Sequence, residues 1–465
     1  MLWYLIATAD HNRLILKVDR DEQGNPMAQI TSFLREPRTW ALGVFLGMTI
    51  GITSAIALAQ EPQPIKDGFK VPATDWPWWR GPLRNGSAAS QQSPPTQWDA
   101  NSHVLWKTPI PGRGYGSMCL VADRVYLASA DEATGSQSLL CLDRNTGAII
   151  WSTTVHEKGG MRKNEKSTAA SSTPACDGQR IYINFPNEGR LMASAISLDG
   201  KLIWQTKVSD YIEHQGYGAS PALYQSLVII AADTKAGGAI AGLDRSSGQI
   251  VWRRERPKLP NYPSPVLMHL FGKDQLIMTG CDLITSLNPL SGELFWEVAG
   301  ATTECVTSTP SDGKHIYTSG GYPRNHISAV LADGSGKIVW ENESRVYVPS
   351  LLIHQGILYG VLDAGIAAAW DASSGKELWR NRLGGTFSAS PVLVGSKIYA
   401  WNEAGECFVF RAKPDGFELL AKNQLGEESL STPVICDSKI FYRCTETQDG
   451  KRQEVLYCLG NPKGQ

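Results

Sequence analysis

The chain has 465 residues, 42% of them hydrophobic and 19% charged, with 45 glycines and 15 tryptophans, the composition of a soluble globular protein. A formal net charge of −1 argues against a nucleic-acid binder or a polybasic membrane-surface protein, since both need a cationic excess to neutralise phosphate. No run of five like charges occurs, which excludes charged tails as well.

In chain order, the first signal is an address. Residues 39–60 carry no charge, follow Arg35 and Arg38, and end in Ala57-Leu58-Ala59 before Gln60. A basic flank, an apolar centre and small residues at −3 and −1 describe a secretory signal with cleavage after Ala59. An uncleaved anchor is the alternative, because about 20 apolar residues can span a bilayer. Met27 offers a second start and a more ordinary signal over 27–59, leaving residues 1–26 untranslated or disordered. Residues 60–102, rich in Pro, Ser and Gln, read as an extended leader.

From residue 103 a repeat takes over. Segments such as LDRNTGAIIW, SLDGKLIW and LDRSSGQIVW each run through a glycine turn into a short strand closing on tryptophan. The closing residues are Trp106, Trp151, Trp204, Trp252, Trp296, Trp340 and Trp379, with Leu420 at the eighth place, at spacings of 45, 53, 48, 44, 44, 39 and 41. Each unit opens on a small residue and proline, as at Pro174, Pro221, Pro265, Pro310, Pro391 and Pro433. Proline at a strand's first residue costs no ladder hydrogen bond. A polar turn and a β-branched or aromatic run follow, which is hairpin grammar. About four short strands per 40–50 residues, radially repeated, predict an all-β, eight-bladed propeller of four-stranded antiparallel blades. The tryptophans are expected to fill the wedges between blades, each burying about 150–250 Å². After Leu420 only three strands remain, so strand 103–110 is expected to complete the C-terminal blade and remove the sheet edge.

Nine cysteines form no C-x-x-C and no adjacent pair. Cys119/Cys141 and Cys436/Cys458 share a separation of 22, which allows each pair neighbouring strands and oxidation after export. Free, buried thiols are the other expectation.

The two motifs together resemble the PQQ-like repeat, the tryptophan-docked blade of bacterial quinoprotein dehydrogenases and of the propeller lipoprotein that assists outer-membrane assembly. The resemblance covers roughly 103–460. The leader DWPWWRGPLRNG (75–86) looks like the W-P-x-[WF]-R-G-P-x-R-x-G opening of exported PQQ-like propellers abundant in planctomycete bacteria. WD40 and kelch repeats fit less well, since no Trp-Asp dipeptide closes the blades and no Gly-Gly pair recurs in register. A quinoprotein resemblance would imply a quinone held over a tryptophan floor by a disulfide of adjacent cysteines, with calcium and a carboxylate base. The adjacent cysteines are absent, and Asp233, Glu304 and Asp363 align to no catalytic role.

No G-x-S-x-G, H-E-x-x-H or phosphate loop is present. The remaining expectation is binding. Loops entering the first strands converge on one mouth of the channel, and they carry Arg162, Lys163 and Lys166 in blade two, His214 and Tyr217 in three, and Tyr262 in four. Glu304 in five, Arg345 and Tyr347 in six, and Glu427 and Glu428 in eight complete the set. Both charge signs with several tyrosines suit a polar ligand or a peptide. The long loop 155–170 is the foremost element. The sequence therefore reads as an exported, monomeric propeller of the periplasm or cell envelope, without catalytic residues, metal or cofactor. It would act as a ligand-binding or protein-interaction scaffold, with no nucleic-acid partner and membrane contact only through an uncleaved signal. The alternatives are a PQQ- and calcium-dependent dehydrogenase, or an envelope and outer-membrane assembly factor.

Overall fold

The computed structural model describes residues 65–160 and 164–462, together with the strands Leu5–Ala9, Asn12–Arg20 and Pro26–Thr31. Those three strands form an antiparallel meander of their own, with Leu5 opposite Leu16 and Lys17 opposite Gln29. Met27 lies in the third; the charge-free stretch 39–60, the cleavage position after Ala59, and Arg162 and Lys163 lie outside the described residues.

The remaining strands form eight antiparallel sheets in sequence order, the blades of a propeller. Blades one to four occupy 118–156, 175–210, 222–255 and 266–299; five to seven occupy 315–342, 352–382 and 392–424. Blade eight consists of 434–459 and the strand Val104–Ile110, which pairs with Lys451–Leu459 and places Trp106 opposite Cys458. The predicted closure is therefore present, and the first and last parts of the propeller are held by backbone hydrogen bonds. Blade five has three named strands; Ser311, bridged to Ile316, stands where the others have a first strand. Within a blade the middle strands are buried on both faces, as at Leu227–Ala232, while fourth strands alternate, as at Ile149–His156. That is the burial expected when blade faces stack and only the outermost strand meets solvent.

The tryptophans do the stacking. On its fourth strand, each reaches the turn between the third and fourth strands of the next blade. The indole Nε1 of Trp106 donates to Arg144 O at 3.0 Å, Trp151 to Leu198 O at 3.0 Å, Trp204 to Arg245 O at 3.0 Å and Trp340 to Ala372 O at 2.8 Å. Trp296 instead donates to Gln275 in its own blade. Glycine in these turns leaves room for the ring. A Cβ on Gly375, at φ 72°, would sit 2.5 Å from Trp340.

Leu420 now has a reason. Its blade faces blade eight, whose third and fourth strands come from opposite ends of the chain and share no turn, so nothing is there for an indole to dock on. Trp98 fills that wedge instead, stacked on Trp401 at 5.7 Å, with its backbone N–H donating to Asn423 Oδ1 at 3.0 Å.

A second ring runs round the channel. A Ser or Thr stands just ahead of each first strand, directly before the opening proline at Thr173, Ser220, Ser264, Ser390 and Thr432. In most blades its hydroxyl accepts the corresponding backbone N–H of the preceding blade. Ser117 donates to Thr173, Thr173 to Ser220, and Ser220 to Ser264, at 3.0, 3.0 and 2.9 Å. Ser308 to Ser350, Ser350 to Ser390 and Ser390 to Thr432 follow at 3.0, 3.0 and 2.9 Å. The Ser117 hydroxyl joins these two arcs at blades eight and one by donating to Thr432 O at 2.6 Å.

The cysteine pairs require a correction. Cys119 and Cys141 both lie opposite Tyr126, on the two strands flanking it. Cys458 lies opposite Phe441, while Cys436 pairs with Lys439 on the same central strand. Neither pair occupies neighbouring strands. Two strand spacings, about 9–10 Å, exceed the roughly 7 Å limit for a disulfide. All nine thiols are free and buried.

His326, fully buried in blade five, has its Nε2 3.2 Å from Thr318 Oγ1 and no partner for Nδ1. Desolvation, aided by Arg324, lowers its pKa from 6.5 to about 4. Between those values the unfolded chain binds a proton that the folded chain refuses. Stability is complete above pH 6.5 and falls as the pH drops through this window, by about 1.4 kcal/mol per pH unit for this one group. Half-buried His156, also held at about 4, adds a share of its own. In thermal unfolding from pH 7 to 4.5, His326→Asn should therefore lower the slope by about 1.4 kcal/mol per pH unit and leave the rest; equal slopes would refute the assignment.

Candidate functional site

The two faces of the propeller differ. On the face of the hairpin turns, the leader lies across the channel and touches every blade. Trp76 exchanges two 2.8 Å backbone hydrogen bonds with Leu120 of blade one, and Cys176 N of blade two donates to Pro77 O at 2.8 Å. Arg84 donates to Leu223 O of blade three at 2.9 Å, and Lys66 N to Asp274 of blade four at 2.9 Å. Trp79 Nε1 donates to Ser308 ahead of blade five at 2.6 Å. Arg80 donates to Leu351 O and Pro391 O, ahead of blades six and seven, both at 3.0 Å. Ser93 N donates to Ser438 of blade eight at 3.0 Å. The tryptophans of DWPWWRGPLRNG are thus a plug: Trp76 and Trp78 are buried, and Arg84 stacks over Trp78 at 4.1 Å. The cavity left beside Trp78, Trp79, Ser264 and Ser308 is about 20 Å³, room for about one water.

The opposite mouth is where the blade-entering loops meet, and there the sequence-derived residues fall into two groups. In the first, Glu304 accepts from Tyr347 OH at 3.2 Å and lies 3.6 Å from His214 Nε2, which joins loops of blades three, five and six. Tyr262 N bonds Cys305 O at 3.0 Å, and its hydroxyl is buried without a partner. Burial and the Glu304 charge push the Tyr262 and Tyr347 phenols upward, so both stay protonated donors. Arg345 lies over the Tyr347 ring at 5.2 Å and donates to Gly321 O. Asp363 accepts the backbone N–H groups of Tyr347 and Val348 at 2.8 and 3.2 Å.

In the second group, Lys166 reaches from loop 155–170 to Glu403 of blade seven at 2.7 Å, and Ser388 donates to the same oxygen at 2.5 Å. The long loop thus crosses part of the mouth. Glu428 accepts from Arg452 at 3.1 and 3.2 Å and from Tyr115 OH at 3.3 Å, with Arg113 at 3.9 Å. Glu427 accepts from Thr447 Oγ1 at 2.7 Å. Tyr217 stands apart. It is 5% exposed, donates to Ala231 O and accepts from Asn184, so it belongs to the interior of blade three. Glu403, Ser388, Arg113, Tyr115 and Arg452 were not picked out from sequence. Glu403 lies on a second-to-third-strand turn and Arg452 on the final strand, outside the entering loops, whereas Ser388, Arg113 and Tyr115 lie on the loops that enter blades seven and one.

These groups do not assemble a quinone–calcium site. Asp233 is held by both arms of Arg256, at 2.9 and 3.2 Å, and by Asn261; Asp363 is taken by backbone. No adjacent cysteines exist, and on the turn side Trp79 and Arg80 reach into the channel to bond Ser308 and Pro391 O. Among the described residues no cluster of three His, Cys, Asp or Glu is placed to hold a metal.

Tryptophan-docked blades, ring closure by the N-terminal strand and proline-opened first strands define a PQQ-like β-propeller repeat protein. The family model described as "Outer membrane protein assembly factor BamB" matches residues 89–210, 135–368 and 323–416, and the chain belongs to that family. It is similar to the BamB of Yersinia pestis, 21% identical over 369 residues that cover 75% of this chain and 79% of the relative. Among solved structures it is similar to BamB from Moraxella catarrhalis, with a TM-score of 0.56, 16% identity, and coverage of 78% of this chain and 98% of that one. It is also similar to a europium-containing methanol dehydrogenase, with a TM-score of 0.63, 11% identity, and coverage of 84% and 98%. At such identities the structural likeness shows the fold alone.

Proposed function

We propose that this chain is an exported, non-catalytic scaffold of the cell envelope that binds a protein or polar ligand at the loop-side mouth. One observation carries the reading: the leader closes the turn face on all eight blades, whereas the opposite mouth keeps charged and phenolic groups bridged between loops of different blades. The Lys166–Glu403 bridge, whose lysine is more than half exposed, can be exchanged for bonds to a partner at little cost, because exposed ion pairs contribute only about 0–1 kcal/mol. Glu304, by contrast, is buried and fixes the other group in place. Relatives named as outer-membrane assembly factors support a protein partner. A quinone reading is disfavoured by the acids already held by arginine and backbone and by the absence of adjacent cysteines.

The test is a double variant, Lys166→Ala with His214→Ala. It should weaken capture of envelope partners from the host by about tenfold or more while leaving the melting temperature within about 2 °C, since both side chains are partly exposed. A large loss of stability would make these residues structural. Unchanged capture would move the interface elsewhere. Reduction of an artificial acceptor by the purified protein with added quinone and Ca²⁺ would overturn the non-catalytic reading.

A further inference from the structure

Among the described residues five arginines are buried: Arg80, Arg84, Arg144, Arg256 and Arg443. Four of them face a carboxylate: Arg84 meets Asp67 at 2.9 Å, Arg144 meets Asp75 at 3.4 Å, Arg256 meets Asp233 at 2.9 Å and Arg443 meets Glu454 at 2.7 Å. Arg80, 3% exposed, has no ion-pair partner among the described residues. Its bonds go to three backbone carbonyls: Pro391 O and Leu351 O at 3.0 Å and Asn85 O at 3.1 Å. Carbonyl dipoles satisfy three of its five N–H donors but do not cancel the charge, and a buried charge is costly unless paired.

The arginine is also fixed in place. A Cβ on Gly86, at φ 83°, would lie 2.3 Å from its Nη2, so the leader wraps the guanidinium closely. Leu351 and Pro391 directly follow Ser350 and Ser390 of the hydroxyl ring. Each of those hydroxyls already accepts a backbone N–H, at 3.0 Å in both cases, and retains its own O–H to donate. The surroundings therefore offer donors and a positive charge, with carbonyls already used. Burial pulls the guanidinium down to about 9, which still leaves it charged at neutral pH.

We propose that the channel holds a small inorganic anion of the halide class against the unused N–H donors of Arg80, beside Ser350 and Ser390, as the counter-charge that the chain itself does not supply. A monatomic ion suits a place where only two guanidinium donors remain and the leader fills the turn side. The site is independent of the loop-side mouth, so it stands or falls apart from the proposed function.

Crystals of the wild-type protein grown in sodium bromide provide the test, with data collected at the bromine absorption edge. An anomalous peak within hydrogen-bond distance of the Arg80 guanidinium, and none at the four paired arginines, is expected. A water or empty density there at saturating bromide, with peaks only on surface lysines, would overturn the proposal. In solution, replacing chloride by gluconate at constant ionic strength should lower the wild-type melting temperature by about 3 °C. Arg80→Gln should be indifferent to the exchange. A wild-type protein that is equally indifferent would also refute the site, and because both wild-type measurements stand alone, failure of the variant to fold leaves the test intact.

Discussion

Replacing Trp98 by alanine should destabilise the propeller by about 3–5 kcal/mol, the range for deleting a large buried aromatic. Trp98 is 5% exposed and stacks on both Trp401, at 5.7 Å, and Tyr399, at 6.5 Å. Its backbone N–H and the Thr96 carbonyl both engage Asn423, on the fourth strand of blade seven. It thus fills the wedge that an indole at 420 would fill in any other blade. The deletion leaves a cavity walled by Trp401, Tyr442 and Tyr399, which the rigid stacked rings cannot close. Chemical unfolding of wild type and variant measures the loss. Leu420→Trp added to Trp98→Ala should not restore it, since blade eight lacks the turn on which the other indoles dock. A loss below about 1 kcal/mol, or rescue by Leu420→Trp, would contradict this account of the seam.

Glu454→Ala should cost a similar amount, about 3–5 kcal/mol, for an electrostatic reason. Arg443 and Glu454 are 1% and 2% exposed and meet at 2.7 Å, and Arg443 also donates to Ala128 O of blade one at 2.8 Å. The pair therefore sits where the closing blade meets the first. Removing the carboxylate strands a buried guanidinium, whereas replacing both residues by apolar ones of similar volume should cost much less. Comparing Glu454→Ala with the double variant Arg443→Met, Glu454→Leu distinguishes a stranded charge from lost packing. Equal losses in the two would favour packing.

The blade count, the register and the closure were legible because they are periodic. Tryptophan recurs on the same strand of each unit, and a missing strand at one end matches a surplus strand at the other. The deviation at Leu420 was visible, but its cause was not, since it depends on which blade lacks a turn after closure. The cysteines misled for a related reason. A separation of 22 residues measures distance along the chain, and in an antiparallel blade it spanned a whole intervening strand. In the sequence, the Ser or Thr ahead of a first strand signals only the way into that strand. That it is usually a hydroxyl residue was the clue to the inter-blade ring.

Within the mouth, Lys166, His214, Glu304, Arg345, Tyr347 and Glu428 were found by asking which loops enter first strands, and the fold does bring those loops to one face. Tyr217 lies on such a loop too, yet its ring turns into the blade to satisfy Asn184 and Ala231 O. Loop membership does not fix side-chain direction.

By itself, then, the sequence determined the local period and the partition into strands and turns, because hydrophobic alternation, proline and glycine act over a few residues. Tertiary structure alone decided that the Trp-Pro-Trp-Trp-Arg leader plugs the channel, that Trp98 substitutes for an absent indole, and that Arg80, alone among the buried arginines of the described residues, lacks a counter-charge. Each of these joins residues distant in sequence, up to 325 apart for Trp98 and Asn423. The period announces that the ring closes, but which distant side chains then meet depends on packing across blades, which no local pattern encodes.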